Sequence, residues 1–447
     1  MRALLIDTPD QYFSFLRNED IVYQPFPKPG AGDLNGDFDI DKFIHQKFIE
    51  QILLQIEFDV LILPYSLTDN ILEFVGLRLA LHIRLTKELG DRQNVPIIFI
   101  GSEDPWMIGR LTPLGDILCT EGCYWCDIDK QQLNVLLSQI PHKLSGLKDR
   151  DTFLKRVKIA PPSNYQSHHS IDNELALVRW SEYLNCDDKI SEVKENLQKG
   201  LYFKYHNTLN PVNPLGKGNL ISFLDKNNNP LRGNILLIDD EANKGWKDFY
   251  QCFFKNSPAI KFDYLNEDLK SLSRDEIIEK SVNKIKDFAA DVILLDLRLC
   301  DFDFSPEAQN NPKTLTGYKI LEEIKKINKG IQTIITTASN KVWNYESVLG
   351  LGANGYIIKR GDSDVAEDIK ALKESIINAL QKASFLKEIY RSIQSIKNCI
   401  AENPLFDSDN NLRNSLYINY DLAFELLERT SSNYKYFNYA YLQLFLC

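Results

Sequence analysis

Short all-apolar runs separated by segments of helical spacing recur along two stretches of this chain. Strands buried on both faces by helices read this way, and the alternation predicts parallel sheets of the doubly wound α/β kind. In the later stretch the strands are expected at residues 234–238, 260–264, 292–295, 333–336 and 356–358, with helical spacing between them as at Ile320, Leu321, Ile324 and Ile327. Five strands connected in this manner form a flavodoxin-like unit whose ligand crevice lies beyond the carboxyl ends of the strands.

The earlier stretch repeats the pattern at nearly constant offset. Ala3-Leu4-Leu5-Ile6-Asp7 matches Ile235-Leu236-Leu237-Ile238-Asp239, and Asp59-Val60-Leu61-Ile62-Leu63 matches Asp291-Val292-Ile293-Leu294-Leu295, both 232 residues apart. Ile97-Ile98 then pairs with Ile334-Ile335 at 237, and Gly115 with Gly355 at 240. Repetition at fixed spacing argues for duplication, so residues 1–145 are read as a second copy of the five-stranded fold.

Residues 146–232 lack the alternation and read as a connecting subdomain. There, 187–200 is a charged helix stopped by Gly200, and Asp225-Lys226-Asn227-Asn228-Asn229-Pro230 is a turn. The later copy spans 233–380, and residues 381–447 read as a helical C-terminal region. Across that boundary Val365, Ile369, Leu372, Ile376, Leu380, Ala383, Leu386, Ile389, Ile393, Ile396 and Ile400 step by three or four, as along one amphipathic helix. At ~1.5 Å per residue such a helix is roughly 55 Å long. Pro404 and the polar cluster at 407–411 end it. Its apolar stripe needs a cover, and the expectation leans to a homodimer over tyrosine-rich C-terminal helices folding back. The apolar end from Tyr441 to Cys447 is expected to pack on the body or to continue into something longer.

Composition fits this picture. A length of 447 residues suggests about three domains, and 44% hydrophobic with 26% charged residues is ordinary for globular proteins. Lys+Arg 52 against Asp+Glu 62 gives 52 − 62 = −10, which argues against gripping nucleic acid or an anionic membrane through bulk charge. Residues 381–447 add seven basic and seven acidic groups and no helix-turn-helix pattern, so DNA binding is disfavoured. No apolar run reaches the ~18 residues that span a bilayer, and Asp7 interrupts the first apolar stretch before a signal-peptide core forms. A cytoplasmic protein is expected. Eight cysteines are too sparse for a disulfide scaffold.

The chemistry lies at the strand ends of the later copy. Asp239 and Asp240 follow its first strand and Asp296 its third, and in a doubly wound sheet these ends are neighbours. Two like charges ~4 Å apart repel by about 4 kcal/mol at an effective dielectric of ~20, so the cluster implies a cation. Oxygen-only ligands suit Mg²⁺ beside a phosphate. Thr337 and Lys359 follow the fourth and fifth strands, adding a hydroxyl and an ammonium to the rim. An aspartate nucleophile, a divalent metal, a hydroxyl and a lysine together can accept a phosphoryl group.

On these residues, 233–380 resembles the receiver domain of two-component response regulators. The matching pieces are Ile238-Asp239-Asp240-Glu241, Leu295-Asp296, Thr337-Ala338 and Gly352-Ala353-Asn354-Gly355-Tyr356-Ile357-Ile358-Lys359. The resemblance implies that Asp296 is the phosphoacceptor and that Asp239, Asp240, Asp296 and the backbone carbonyl of Arg298 hold Mg²⁺. Thr337 and Lys359 would contact the phosphoryl oxygens, and Tyr356 would be the aromatic switch. It further implies a histidine kinase or phosphotransfer protein as donor and a downstream protein partner, with no enzymatic activity of the protein's own. Two features depart from the family: Arg360 stands where a proline usually follows the lysine, and 317 − 296 = 21 residues separate Asp296 from Gly317. That long loop, with Asp301, Asp303, Glu307 and Pro312, is expected to cover the site or to select the phosphodonor.

The earlier copy loses these groups. At its offsets Pro64 stands for Asp296, Thr8 for Asp240, Ile100 for Thr337 and Cys119 for Lys359, so it reads as a pseudo-receiver used for contact. Alternatives in other classes are a phosphate sink without output, a constitutive scaffold, and an enzyme similar to radical S-adenosylmethionine proteins built on Cys119, Cys123 and Cys126. Asp33, Asn35, Asp37 and Asp39 have calcium-loop spacing, but Phe38 and Ile44 occupy the positions of its glycine and bidentate glutamate. His168-His169 reads as part of an exposed polar linker.

Overall fold

The structure, a computed structural model, describes residues 2–30, 38–140, 150–162, 168–216, 221–338, 342–403, 410–429 and 438–440. The chain divides into two compact units, Met1–Ile171 with Glu192–Val212, and Asp172–Ser191 with Asn213–Cys447. The stretch 146–232, read from sequence as one connecting subdomain, is shared between them. His168 opens a helix, His168–Tyr183, where a linker was expected.

In the first unit β1 (Ala3–Asp7), β2 (Ile21–Pro25), β3 (Val60–Pro64), β4 (Ile97–Ile100) and β5 (Cys123–Cys126) form one parallel sheet in the order β2-β1-β3-β4-β5. The two-residue period of a strand sends Leu4, Ile6, Leu61, Leu63, Ile97 and Phe99 into one core. The intervening Ala3, Leu5, Val60, Ile62, Ile98 and Ile100 enter the other. The helix Val75–Leu85 is buried almost all round.

A buried polar knot fastens the helix Leu201–Leu209 to this unit. Lys204 Nζ lies 2.8 Å from His45 Nδ1, 3.1 Å from His82 Nδ1 and 2.7 Å from Thr86 Oγ1. With both Nδ1 atoms accepting, each imidazole is neutral and carries its proton on Nε2. From there His82 donates to Asp41 Oδ1 at 3.0 Å and His45 to Glu50 Oε1 at 3.1 Å, while Arg78 meets Asp41 at 2.8 Å.

The second unit repeats the topology with β6 (Gly233–Ile238), β7 (Ile260–Tyr264), β8 (Val292–Leu295), β9 (Gln332–Thr337) and β10 (Gly355–Ile358), ordered β10-β9-β8-β6-β7. All of its pairings are parallel. The two flavodoxin-like sheets match the sequence expectation, and the second unit's strands agree to within one residue at each end.

The long helix is Val365–Glu402, capped by Asp364 accepting from the Ala366 amide at 2.9 Å. At the amino end of the sheet Lys387 Nζ donates to the carbonyls of Ala289 and Ala290 at 3.1 and 2.9 Å and pairs with Asp291. A second helix, Asn410–Glu428, folds back on it, Phe424 and Leu427 packing with Leu386 and Ile393, and Ala440 joins the same cluster. Lys397 meets Asp421 at 2.7 Å across that pair. The local folding-back option therefore covers part of the apolar stripe. Pro404, residues 407–409 and residues 441–447 lie outside the described residues. No helix among the described residues is long and apolar enough to cross a membrane.

The strand registers correct two of the inter-copy matches. Leu61 pairs with Ile97 as Ile293 pairs with Thr333, an offset of 333 − 97 = 236 rather than 237. Ile98 pairs with Tyr124 as Ile334 pairs with Gly355, an offset of 355 − 124 = 231 rather than 240. Gly101 therefore stands where Thr337 does, and Ile128 where Lys359 does. Gly115, the glycine that anchored the earlier match, lies in the 3-10 helix Pro113–Cys119.

Candidate functional site

Ile238 and Leu295 are register partners on adjacent strands, so Asp239 and Asp296 leave β6 and β8 side by side. One oxygen each from Asp239, Asp240 and Asp296 falls within 4.8 Å of the others. Lys359, directly after β10, reaches the same point: its Nζ is 2.6 Å from Asp239 Oδ2 and 3.6 Å from Asp296 Oδ2. The ammonium also lies 4.4 Å from the centre of the Trp246 ring. The remaining lone pairs are held by backbone: Asp239 Oδ1 accepts from the Glu241 amide at 2.8 Å, and Asp296 Oδ1 from the Leu297 and Arg298 amides at 2.5 and 3.2 Å.

Thr337 is buried at the end of β9, where its carbonyl accepts from the Lys359 amide at 2.9 Å. Tyr356 sits half-buried in β10, edge-on to Tyr345 at 5.4 Å. The structure thus brings Asp239, Asp240, Asp296 and Lys359 to one point, with Thr337 and Tyr356 on the neighbouring strands.

Electrostatics make the cluster demanding. Burial, then the charges of Asp239 and Asp296, push Asp240 up to about 8. Burial also raises Asp296 to about 6, with Lys359 pulling against it and Asp239 adding to it. Burial would lower Lys359, but Asp239 and Asp296 more than offset that and hold its pKa above the usual value. Fully ionised, as a bound cation would hold them, three carboxylates and one ammonium sum to −3 + 1 = −2, the charge one divalent cation balances. An oxygen-only donor set of this kind fits Mg²⁺.

Several residues around the site take structural roles that the sequence pattern does not predict. Gly317, second residue of the helix Thr316–Ile327, packs against the end of β8, where a Cβ would come within 2.2 Å of the Asp296 carbonyl oxygen. Asp303, fully buried, staples the long loop: it accepts from the Leu299 and Thr316 amides at 2.8 Å each and from Thr316 Oγ1 at 3.0 Å. The helix His168–Tyr183 grips both rims, with Asn173 bonded to Glu241 and Arg179 to the Gly361 carbonyl. An aspartate inside a polar loop and an asparagine some 70 residues upstream carry no local signal (241 − 173 = 68).

The first unit keeps the scaffold and loses the chemistry. Gly76 repeats the Gly317 contact, a Cβ there falling 1.9 Å from the Pro64 carbonyl oxygen. At that strand end Pro64 offers no carboxylate, Thr8 replaces Asp240, and Gly101 and Ile128 offer neither hydroxyl nor ammonium. Residues 30–126 match the inactive receiver domain family. The inactive receiver match thus takes in β3, β4 and β5, including Pro64 and Gly101.

Among solved structures the chain is similar to the signal receiver domain of a putative Luxo repressor protein from Vibrio parahaemolyticus, 20% identical over 34% of this chain and 94% of that one, with a TM-score of 0.25. It is also similar to a two-component response regulator of the LuxR family from Aurantimonas sp. SI85-9A1, at 19% identity over 33% and 85% with a TM-score of 0.24. NtrX from Brucella abortus, solved in complex with ADP, is 15% identical over 37% of this chain and 34% of that one, with a TM-score of 0.25. No curated protein matches the chain in sequence.

The other candidate motifs do not converge. Cys123 packs with one core of the first sheet and Cys126 with the other, while Cys119 is exposed in the preceding 3-10 helix. Three residues apart on a strand, Cys123 and Cys126 point to opposite faces, so the three thiols share no centre. Asp39 caps the short helix Ile40–Phe43 through the Asp41 and Lys42 amides; Asp33, Asn35 and Asp37 lie outside the described residues.

Proposed function

We propose that the second unit accepts a phosphoryl group on Asp296 from a histidine kinase or phosphotransfer protein in the cytoplasm, and that the protein answers through protein contacts rather than by turnover of a substrate. The observation that carries this reading is the convergence of Asp239, Asp240 and Lys359 on the Asp296 carboxylate. A carboxylate oxygen attacks phosphorus, the bond to the donor histidine nitrogen breaks, and that nitrogen keeps the electron pair. Asp239, Asp240, Asp296 and the Arg298 carbonyl would hold Mg²⁺, which supplies neutralising charge to the phosphoryl oxygens. Lys359 and the Thr337 hydroxyl would hold two of those oxygens. Tyr356 and the rim contacts of the helix His168–Tyr183 are the elements that sense the change.

The first unit, by this reading, is a contact domain that takes no phosphate, in keeping with its inactive-receiver match and with Pro64. The test is incubation with acetyl phosphate and Mg²⁺ followed by intact-mass measurement. One added phosphoryl group, absent in Asp296→Asn, is expected. Labelling that survives the substitution overturns the assignment.

A further inference from the structure

Where the second unit holds its acidic cluster, the first unit has a cavity of about 360 Å³. Its walls are what replaced the phosphate chemistry: Pro64, Gly101 and Ile128 line it together with Tyr12, Phe13 and Tyr65. The volume lies in the range of sites that take small organic molecules, and the lining joins apolar and aromatic groups to the polar Thr8, Ser66, Thr68, Asp69, Ser102 and Glu103.

The charge around it is one-sided. Residues 8–13, 65–74, 101–104 and 127–129, the loops that line the cavity, hold Asp10, Asp69, Glu73, Glu103, Asp104, Asp127 and Asp129 and not one Lys, Arg or His. None of these carboxylates has an ion-pair partner among the described residues. Arg17, Arg78 and Lys130, each within four residues of these loops, are committed elsewhere: Arg17 stacks 3.1 Å over the Tyr23 ring, Arg78 pairs with Asp41 at 2.8 Å, and Lys130 donates to the Phe15 and Arg17 carbonyls at 3.3 and 2.9 Å. Of the seven, Glu103 and Asp69 line the cavity itself. Glu103 is half-buried beside Tyr65, whose hydroxyl is pushed up to about 12 by burial first and then by the Glu103 carboxylate.

Glu103 accepts from the Ser102 amide at 3.1 Å, but no basic side chain among the described residues neutralises it. A cavity with aromatic walls and such carboxylates repels phosphate and favours a cation on an apolar body. We propose that the first unit binds a small organic cation, an ammonium or amidinium carried on an aryl or alkyl group, with the charge at Glu103 and Asp69 and the apolar part between Tyr12, Tyr65 and Ile128. The lost phosphorylation site would then be a ligand-sensing site.

The test uses the full chain and three probes of one shape: tyramine, p-cresol and p-hydroxyphenylacetate, titrated by calorimetry. Tyramine is expected to bind, p-cresol about tenfold more weakly, and the anion not measurably. Glu103→Gln should weaken tyramine about tenfold and abolish the preference over p-cresol. Ile128→Lys, which places an internal ammonium in the cavity, should remove tyramine binding with the thermal unfolding midpoint retained. Absence of tyramine binding at millimolar concentration, or equal binding of all three probes, overturns the proposal. Tighter binding of a terminally blocked lysine peptide than of tyramine would overturn the free-molecule reading in favour of a protein side chain.

Discussion

The Lys359 ammonium meets Asp239 Oδ2 at 2.6 Å with both side chains wholly shut off from solvent. Removing one partner of such a pair leaves a buried charge without its counter-charge, which typically costs 3–5 kcal/mol. Lys359→Met should therefore lower stability by about 3 kcal/mol or more in urea unfolding without divalent ions. Because the carboxylates left behind are the expected Mg²⁺ ligands, millimolar Mg²⁺ should recover part of that loss. Unchanged stability, with or without the ion, would show that the pair does not hold the site together.

Restoring the nucleophile alone should not reactivate the first unit. Pro64→Asp in an Asp296→Asn background is expected to remain unlabelled by acetyl phosphate, because Ile128 and Gly101 supply neither ammonium nor hydroxyl there. Appearance of a phosphoryl adduct by intact mass would refute this.

Gly317 and Gly76 admit no side chain. A Cβ would lie 2.2 Å from the Asp296 carbonyl oxygen in one case and 1.9 Å from that of Pro64 in the other. Overpacking against backbone costs about 1–3 kcal/mol and often more. Gly317→Ala should lower the second unit's unfolding midpoint and slow phosphorylation, whereas Gly76→Ala should destabilise the first unit and leave the labelling rate unchanged.

The Lys204 knot makes the first unit acid-sensitive. Burial and the neighbouring Lys204 charge lower His82 to about 4 and His45 to about 3, both below the unfolded value near 6.5. A base whose folded pKa is lowered is neutral in the fold while the unfolded chain takes up its proton, so stability is lost as pH falls from about 6.5 toward the folded values. For His82 alone the slope approaches about 1.4 kcal/mol per pH unit. Asp41, with its pKa lowered by His82 and Arg78 against the effect of burial, adds to the loss at still lower pH. Lys204, pulled down to about 7 by burial against Glu88, Asp41 and Glu50, gives a further rise in stability between pH 7 and its unfolded value. Urea unfolding of the full chain at pH 7.5 and 5 should show the first unit losing stability as pH falls, whereas the second, whose Asp240 and Asp296 are raised to about 8 and about 6 and hold extra protons in the fold, gains it; equal losses in both units would refute the assignment.

The second unit was legible because aliphatic runs such as Val292-Ile293-Leu294-Leu295 mark its strands and the acidic residues follow them directly. Legibility failed at β5, where Cys123-Tyr124-Trp125-Cys126 has no aliphatic run and the match was hung on a glycine that belongs to a 3-10 helix. It failed again at Asp303 and Asn173, whose partners are set by loop closure and long-range packing rather than by local pattern.

Pro64 and Gly76 are 76 − 64 = 12 residues apart, Asp296 and Gly317 are 21 apart, yet each pair fixes the same two points in space. For a chain tethered at both ends, lengthening from 12 to 21 residues costs only about 0.5 kcal/mol of closure entropy. The segment after the third strand is thus a place where this architecture accepts inserts almost freely, and where new recognition surfaces can be grafted without reshaping the sheet beneath.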